Sequence, residues 1–157
     1  MILVSVGTQL PFDRLIRAID DIAPKLDEEI VAQIGVTAYR PSNVTFHKTL
    51  APIAYEDLVK QARVLVSHAG IGTILGAQKH KKPIVIFPRQ AQFGEHRNDH
   101  QLATCRQLRH YKGVYVAETE AMLLETLQRG DLEPLTSSSA PDRRDGLIRF
   151  LRDFIDA

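Results

Sequence analysis

The sequence has a single cysteine, Cys105, and no tryptophan among its 157 residues. One thiol excludes a disulfide within the chain and is a weak sign of a reducing compartment. No run approaches the roughly 20 apolar residues of a transmembrane helix. The apolar start, MILVSVGTQL, is interrupted by Gly7 and is too short for a secretory signal. We therefore expect a cytoplasmic protein that needs another component to hold it at a membrane.

A surplus of either charge is also missing. The 20 Lys and Arg residues nearly balance the 19 Asp and Glu residues, which gives a formal net charge of +1. No bulk electrostatic signal for nucleic acid is present, and we expect no nucleic-acid partner. The apolar fraction of 44% and the charged fraction of 25% are ordinary for a globular protein. The length predicts one domain over residues 1–157.

Two glycine-rich nucleotide-binding motifs are absent as well. Neither GxGxxG nor GxxxxGK[ST] occurs, which argues against standard dinucleotide or P-loop chemistry. His96, Asp99 and His100 have side chains that ligate metals, but they lack the HExxH arrangement. We expect no metal and no cofactor.

Short apolar segments alternate with amphipathic segments along the whole chain. The segments predicted as strands are residues 2–6, 28–35, 44–50, 64–66, 83–87 and 113–117. Apolar residues between Phe12 and Ile22 recur at helical spacing, and Pro24 limits that helix. This pattern predicts an α/β fold, in which a Rossmann-like, doubly wound parallel sheet is covered on both faces. Ligands bind such sheets beyond the carboxyl ends of the strands.

The first candidate binding segment, VSVGTQ, follows the first predicted strand. Gly7 can present backbone N–H groups to an anion near a helix N-terminus, and Thr8 and Gln9 add side-chain donors. An ordinary tight turn between a strand and a helix accounts for the same residues.

The second candidate segment, SHAGIGT, follows the fourth predicted strand. Gly70 and Gly72 let the backbone approach a ligand closely, and Thr73 lies in the first helical turn. The helix dipole there favours a diphosphate, by roughly 0.3–1 kcal/mol or more when partly buried. The alternative is a close helix–strand contact with Ser67 as a cap. The adjacent His68 and the shared sheet edge with Gly7 favour anion binding.

The third candidate segment, PRQAQFGEHRNDHQ, follows the fifth predicted strand. It is dense in side chains that pair donors and acceptors with sugar hydroxyls, namely Gln92, Glu95, His96, Asn98, Asp99 and Gln101. The alternative is a polar loop in which Asn98 or Asp99 caps the next helix.

These segments together resemble the C-terminal, nucleotide-sugar-binding lobe of GT-B glycosyltransferases, most closely of the family 28 type. The residues that carry the resemblance are VGTQ at 6–9, SHAGIGT at 67–73, KKPIVIFPR at 81–89 and FGEHRNDHQ at 93–101. Within the family, the chain is similar to stand-alone subunits of the PssE type and of the dolichol-linked N-acetylglucosamine transferase. The resemblance spans about residues 1–130. SHAGxGT with a later P…DHQ loop is fairly specific, whereas VGT alone is weak.

The resemblance implies a donor-binding set. Its members are Gly7, Thr8, Gln9, Ala51, Pro52, His68, Gly70, Ile71, Gly72, Thr73, Glu95, His96, Asp99 and Gln101. Segment 70–73 would meet the diphosphate, loop 50–53 would pass the uracil, and segment 95–101 would approach the sugar or the diphosphate. His68 either contacts a phosphate or packs beneath the glycine loop. No catalytic base is assigned to this chain.

One position departs from the family pattern. Related enzymes commonly carry a glutamate seven residues before the proline, where it grips the ribose hydroxyls. Counting back from Pro83 places Gly76 there, so Gln78 or a partner would have to compensate.

The resemblance also implies a function. The chain would be the UDP-sugar-binding subunit of a two-component inverting glycosyltransferase, with a lipid-linked acceptor bound by a membrane-anchored, PssD-like partner. A polar connector at about 133–144 precedes an amphipathic helix at about 145–156, whose Leu147, Leu151 and Phe154 would dock on that partner or pack on the chain's own sheet. The alternatives are a non-catalytic nucleotide- or metabolite-binding regulatory module and a UDP-sugar epimerase-like lobe.

Overall fold

The computed structural model describes residues 1–7 and 10–136. Within them, six strands form one parallel sheet: β1 (Ile2–Ser5), β2 (Ile30–Gln33), β3 (Thr45–His47), β4 (Val64–Ser67), β5 (Ile84–Ile86) and β6 (Val114–Val116). The helices of the same residues are α1 (Asp13–Ile22), α2 (Pro52–Gln61), α3 (Ile71–Lys79), α4 (His100–Leu108) and α5 (Glu120–Leu127). Short 3-10 turns cover Ala23–Lys25 and Ala91–Phe93. The predicted α/β fold with a doubly wound parallel sheet is confirmed.

The strand order is β3-β2-β1-β4-β5-β6, so β1 lies inside the sheet between β2 and β4. The chain first builds outward from β1 through β2 and β3, and then resumes on the other side of β1 with β4. Ile2 pairs with Ile30 on one side and with Val64 on the other. The crossover direction therefore changes between β1 and β4, which is where a sheet of this kind opens a crevice for ligands.

The sheet is covered by helices on both faces. Successive side chains of a strand point to opposite faces, so Ile2 and Val4 pack with α1 and α5, and Leu3 packs with α2, α3 and α4. These side chains are fully buried, and each contributes roughly 1.5–3 kcal/mol through removal of apolar surface from water. Cys105 lies in the same core as Leu3. Burial, and secondarily Glu118, raise the pKa of its thiol to about 12. The thiol therefore stays protonated.

The edge strand β3 differs from the inner strands. Among the described strands, Thr45–His47 pairs with β2 alone; it is exposed at every residue and shorter than the predicted 44–50 segment. A short, exposed strand is a common way to end a sheet. α1 ends at Ile22 as predicted, because Pro24 falls in the 3-10 turn that follows.

Leu135, near the start of the predicted polar connector, packs into the core. Leu135 is fully buried, and its N–H donates to the Lys82 carbonyl at 3.2 Å. Gly113 has a φ of +91°, and a β-carbon there would overlap the backbone of Leu135, so this contact requires glycine.

Several predictions fall on residues 8–9 and 137–157, outside the described residues. They concern Thr8, Gln9, most of the connector, and the terminal helix with Leu147, Leu151 and Phe154. None of the helices in 1–7 and 10–136 is long and apolar enough to cross a membrane.

Candidate functional site

A cavity of about 300 Å³ opens where β1 and β4 end, between α2 and α3. Four residues of the predicted donor-binding set line it: Gly7, His68, Gly72 and Thr73. They come from two distant segments that meet because β1 and β4 are neighbours in the sheet. The predicted site therefore coincides with the change in crossover direction.

Gly35 lets the backbone close this edge of the sheet. Its φ is +58°, and a β-carbon on it would lie 2.8 Å from the carbonyl oxygen of Gly7. Any other residue at position 35 would be strained and would push against the turn after β1. The glycine at the end of the second predicted strand thus helps to shape the cavity wall.

The imidazole of His68 is packed between Gly7 and Gly70. A β-carbon on Gly7 would lie 3.4 Å from Cε1 of His68, and one on Gly70 would lie 2.8 Å from the same atom and overlap Nε2. The two glycines therefore admit the ring where it stands. The ring packs beneath the glycine loop and also lines the cavity, so the contact of His68 with a phosphate stays a prediction.

Burial, together with the smaller influences of the Arg89 charge and of His96, lowers the pKa of His68 to about 4. The imidazole is therefore neutral at physiological pH. Its Nδ1 is buried and has no hydrogen-bond partner in the described part of the chain. A buried N–H without an acceptor is costlier than a buried lone pair without a donor, which favours the proton on Nε2. Nε2 can then donate to an anion in the cavity.

The N-terminus of α3 forms the next part of the wall. Gly70 is its N-cap in an extended conformation, and the N–H of Ile74 is the first to bond back, to Gly70 at 3.4 Å. A helix leaves its first N–H groups without partners inside the helix. The amides of Ile71, Gly72 and Thr73, together with the helix dipole, favour an anion here. A β-carbon on Gly72 would meet nothing within 4 Å, so this side is open.

Three uncharged residues extend the cavity away from the α3 N-terminus: Gln33, Tyr55 and Gly76. Gly76 leaves open space, with nothing within 4 Å of a β-carbon placed on it. Gln78 does not line the cavity; its amide donates to the Thr136 carbonyl at 3.4 Å. Gln33 accepts from the N–H of Leu50 at 2.8 Å, which ties the loop before α2 to the end of β2.

Arg89 is a buried cation beside the cavity, with 2% of its surface exposed. Its Nη1 donates to the Pro11 carbonyl at 2.6 Å and its Nη2 to the Leu10 carbonyl at 3.1 Å. Nη2 would also lie 3.7 Å from a β-carbon on Gly7. Burial lowers the pKa of the guanidinium, against an opposing influence of Glu95. Arg89 thus holds residues 10–11, before α1, and places positive charge near Gly7.

A second cavity, of about 690 Å³, lies against the segment between β5 and α4. Glu95 and His96 of the predicted set line it, with the exposed Leu10 opposite. Glu95 is already engaged: both carboxylate oxygens bond Arg14, and Oε1 also accepts from the N–H of Gln90 at 3.1 Å.

Asp99 and Gln101 anchor this segment to its neighbours. Asp99 Oδ1 accepts from the N–H of Ala91 at 2.9 Å. Gln101 Oε1 accepts from the N–H of Arg89 at 2.8 Å and from that of Ala69 at 3.3 Å, so one carboxamide joins the loops after β4 and β5.

Ala51 and Pro52 are exposed at the start of α2 and do not line the first cavity. Tyr55, one turn further along α2, does. The described residues contain no group of three His, Cys, Asp or Glu side chains that could hold a metal ion.

The model of the glycosyltransferase family 28 C-terminal domain matches residues 1–155. The chain belongs to this family. The predicted membership is confirmed, and the fold is a single lobe of the GT-B C-terminal type. No curated protein sequence gives a significant match.

Solved structures share the fold of this family 28 domain. ALG13, determined in solution by NMR, superimposes with a TM-score of 0.64 at 16% identity, covering 99% of this chain and 96% of that one. MurG of Acinetobacter baumannii gives 0.60 at 16% identity, covering 99% and 49%. The glycosyltransferase SsfS6 of Streptomyces sp. SF2575, complexed with thymidine diphosphate, gives 0.59 at 18% identity, covering 99% and 37%. The chain spans about half or less of the two larger enzymes.

Sequence reasoning missed several residues of the site. Arg14 contacts Glu95 across 81 positions of sequence, and no local pattern signals that pair. Gln33 lies in a predicted strand and Tyr55 in a predicted helix, and both line the first cavity. The only available signal for Gln33 was that it is a polar side chain near the end of a strand.

Proposed function

We propose that this family 28 domain is the UDP-sugar-binding catalytic subunit of a two-component inverting glycosyltransferase. The acceptor is lipid-linked, and the product belongs to polysaccharide synthesis, such as exopolysaccharide or capsule, or to lipid-linked oligosaccharide synthesis. The observation that carries this proposal is the convergence of Gly7, His68, Gly72 and Thr73 on one cavity.

The diphosphate would lie at the N-terminus of α3. Departure of UDP leaves negative charge on its β-phosphate, and fixed N–H donors that face this charge stabilise the transition state. The amides of Ile71–Thr73 and the Nε2–H of His68 are suited to this role. The positive charge of Arg89 also stabilises the negative charge on the departing UDP. Because these groups belong to the protein itself, they support a metal-independent reaction.

The nucleoside would extend between α2 and α3, past Gly72 and Gly76. Tyr55 and Gln33 line that part of the cavity and offer a hydroxyl and a carboxamide in place of the usual family glutamate. The sugar would lie toward the second cavity, where His96 lines the wall and the Gln101 amide group is oriented by the two bonds to its oxygen.

The acceptor and the general base would come from a second chain. The family 28 domain spans residues 1–155 and corresponds to about half or less of the length of the two larger enzymes compared above. We infer a membrane-anchored, PssD-like partner that recruits this chain to the cytoplasmic face of the membrane, with Leu147, Leu151 and Phe154 as docking residues.

Isothermal titration with UDP, thymidine diphosphate and four UDP-sugars (glucose, galactose, glucuronate and N-acetylglucosamine) tests the proposal. We expect saturable UDP binding that exceeds thymidine diphosphate binding. The Gly72→Asp variant should lose at least tenfold in UDP affinity, since a carboxylate there repels the diphosphate. Gly72 has open space around it, and Asp near a helix N-terminus is well tolerated, so the variant should fold.

Gly130→Asp is the matched control, because Gly130 also has open space and does not line the first cavity. It should bind UDP like the parental protein. Undiminished affinity in Gly72→Asp would refute the placement of the diphosphate. Absence of binding to every nucleotide would refute the donor role of the isolated chain.

A further inference from the structure

A side chain of α1 helps to hold the segment between β5 and α4 in place. Arg14, in the first turn of α1, donates from Nε to Glu95 Oε2 at 2.9 Å and from Nη2 to Glu95 Oε1 at 3.0 Å. Nη2 also donates to the Pro88 carbonyl at 2.9 Å. Two-point arginine–carboxylate pairs are both strong and directional.

Aromatic rings enclose the guanidinium of Arg14. Its central carbon lies 4.3 Å from the ring centroid of Phe87 and 4.7 Å from that of Phe93. Phe87 is buried immediately after β5, whereas Phe93 is 55% exposed in the loop. Stacking on both rings fixes the plane of the guanidinium and shields the ion pair, in which the Glu95 side chain is only 8% exposed.

Glu95 links Arg14 to the loop. Its Oε1 accepts from the N–H of Gln90, so the carboxylate closes the turn of residues 90–95. Gly94 precedes it with a φ of +68°, a left-handed conformation that aims the Glu95 side chain back toward the turn. The loop then continues to Asp99 and Gln101, which bond to the backbone after β5 and β4.

We propose that Arg14 is a positioning residue for donor-sugar recognition: through Glu95 it fixes loop 90–99, and with it His96, against the phosphate-binding edge of the sheet. This inference rests on the proposed function of the same site. It also gives Glu95 a different role from the sugar contact that the family resemblance implies, because its oxygens serve the loop.

Binding of the sugar and binding of the nucleotide should depend on different parts of the site. Among the described residues, Arg14 forms no hydrogen bond, ion pair or ring contact with His68 or with residues 70–73, so removal of Arg14 should free the loop and leave the UDP site intact. If Arg14 only stabilised the fold, its removal would lower the affinities for UDP and for the UDP-sugar equally.

The test uses Arg14→Ala, Glu95→Gln and the double variant, titrated with UDP and with the four UDP-sugars named above. We expect UDP affinity within about twofold of the parental value. The extra affinity that the best UDP-sugar shows over UDP should fall by roughly tenfold, as expected for loss of a charge-assisted hydrogen-bond pair. The double variant should lose no more than either single one, because the two residues act together.

Arg17→Ala is the matched control, since Arg17 lies on the same helix and stacks on Tyr39 instead of the loop. It should match the parental protein with every ligand. Hydrogen exchange adds a second readout: amides of 90–95 should exchange faster in Arg14→Ala, and those of 70–76 should not change.

Three outcomes would overturn the inference: equal loss of UDP and UDP-sugar affinity, unchanged exchange in 90–95, or a parental protein that gains no affinity from any of the four sugars. The first two leave the proposed function standing, since the parental protein still binds UDP. Failure of the parental protein to bind UDP is a separate result and counts against the proposed function itself.

Discussion

The imidazole of His68 occupies the space where a β-carbon of Gly70 would lie. A β-carbon built there would approach Cε1 of His68 to 2.8 Å, whereas one on Gly72 meets nothing within 4 Å. The two glycines of SHAGIGT therefore have different roles. Gly70 makes room for His68, and Gly72 keeps the ligand side of α3 open.

Gly70→Ala should destabilise the protein by about 1–3 kcal/mol, because the new methyl group forces His68 to move in a packed site. UDP affinity should also fall, since the imidazole leaves its place in the cavity wall. Urea unfolding and UDP titration measure the two effects.

Gly72→Ala is the control for that substitution. It should gain roughly 0.5–1 kcal/mol from the lower conformational entropy of alanine in a helix. Combining Gly70→Ala with His68→Ala should recover part of the lost stability. Full additivity of the two losses would show that the ring and the methyl group do not compete.

The depressed pKa of His68 predicts loss of stability in mild acid. The unfolded chain takes up a proton near pH 6.5 and the folded chain only near pH 4, so the contribution of neutral His68 is complete above pH 6.5. It declines as the pH falls from 6.5 toward 4, by at most about 3 kcal/mol.

Urea unfolding of the parental protein and of His68→Gln, measured from pH 4 to 7.5, isolates this effect. The difference in unfolding free energy between the two proteins should shrink as the pH falls. A difference that stays constant across this range would mean that His68 titrates normally in the folded protein.

Gly76→Glu should restore a carboxylate at the position where the family commonly has one. The site is open, so the side chain fits, and a carboxylate can accept hydrogen bonds from ribose hydroxyls. We expect about a tenfold gain in affinity for UDP and none for 2′,3′-dideoxyuridine diphosphate. Gly130→Glu is the control. An equal gain for both nucleotides would point to another cause.

Arg89→Lys should be poorly tolerated although it conserves charge. The guanidinium bonds two carbonyls and lies 4.6 Å from the Phe12 ring centroid, and an ammonium group cannot reproduce that geometry. We expect a loss of about 1–3 kcal/mol in urea unfolding. Arg97→Lys, at an exposed position, should change stability by less than about 0.5 kcal/mol. Equal values for the two variants would contradict the anchoring role.

The sheet was predictable because its inner strands are apolar at nearly every residue, a pattern that requires cover on both faces. The same logic placed Gly7 and Gly72 at one edge, since parallel strands end on the same side. The predicted span of β3 was too long, because the side chains of an exposed edge strand do not pack in a core that would mark where the strand ends.

The loop after β5 was harder to predict. Its polar residues suggested sugar contacts, and the structure uses Glu95, Asp99 and Gln101 to bond backbone and Arg14. Composition cannot separate a ligand contact from an internal anchor, since both require the same donors and acceptors. Arg89 was equally unreadable, because its burial depends on packing against Leu10 and Pro11.

The placement of UDP is tested most directly by NMR titration of the ¹⁵N-labelled chain. We predict shifts in the amides of Gly7 and Ile71–Thr73 as UDP binds, and no shift at Gly113 or Gly130, which do not line the first cavity. Saturation of those shifts together with the calorimetric isotherm would establish the site at the β1–β4 edge. UDP-dependent shifts confined to other residues would contradict it.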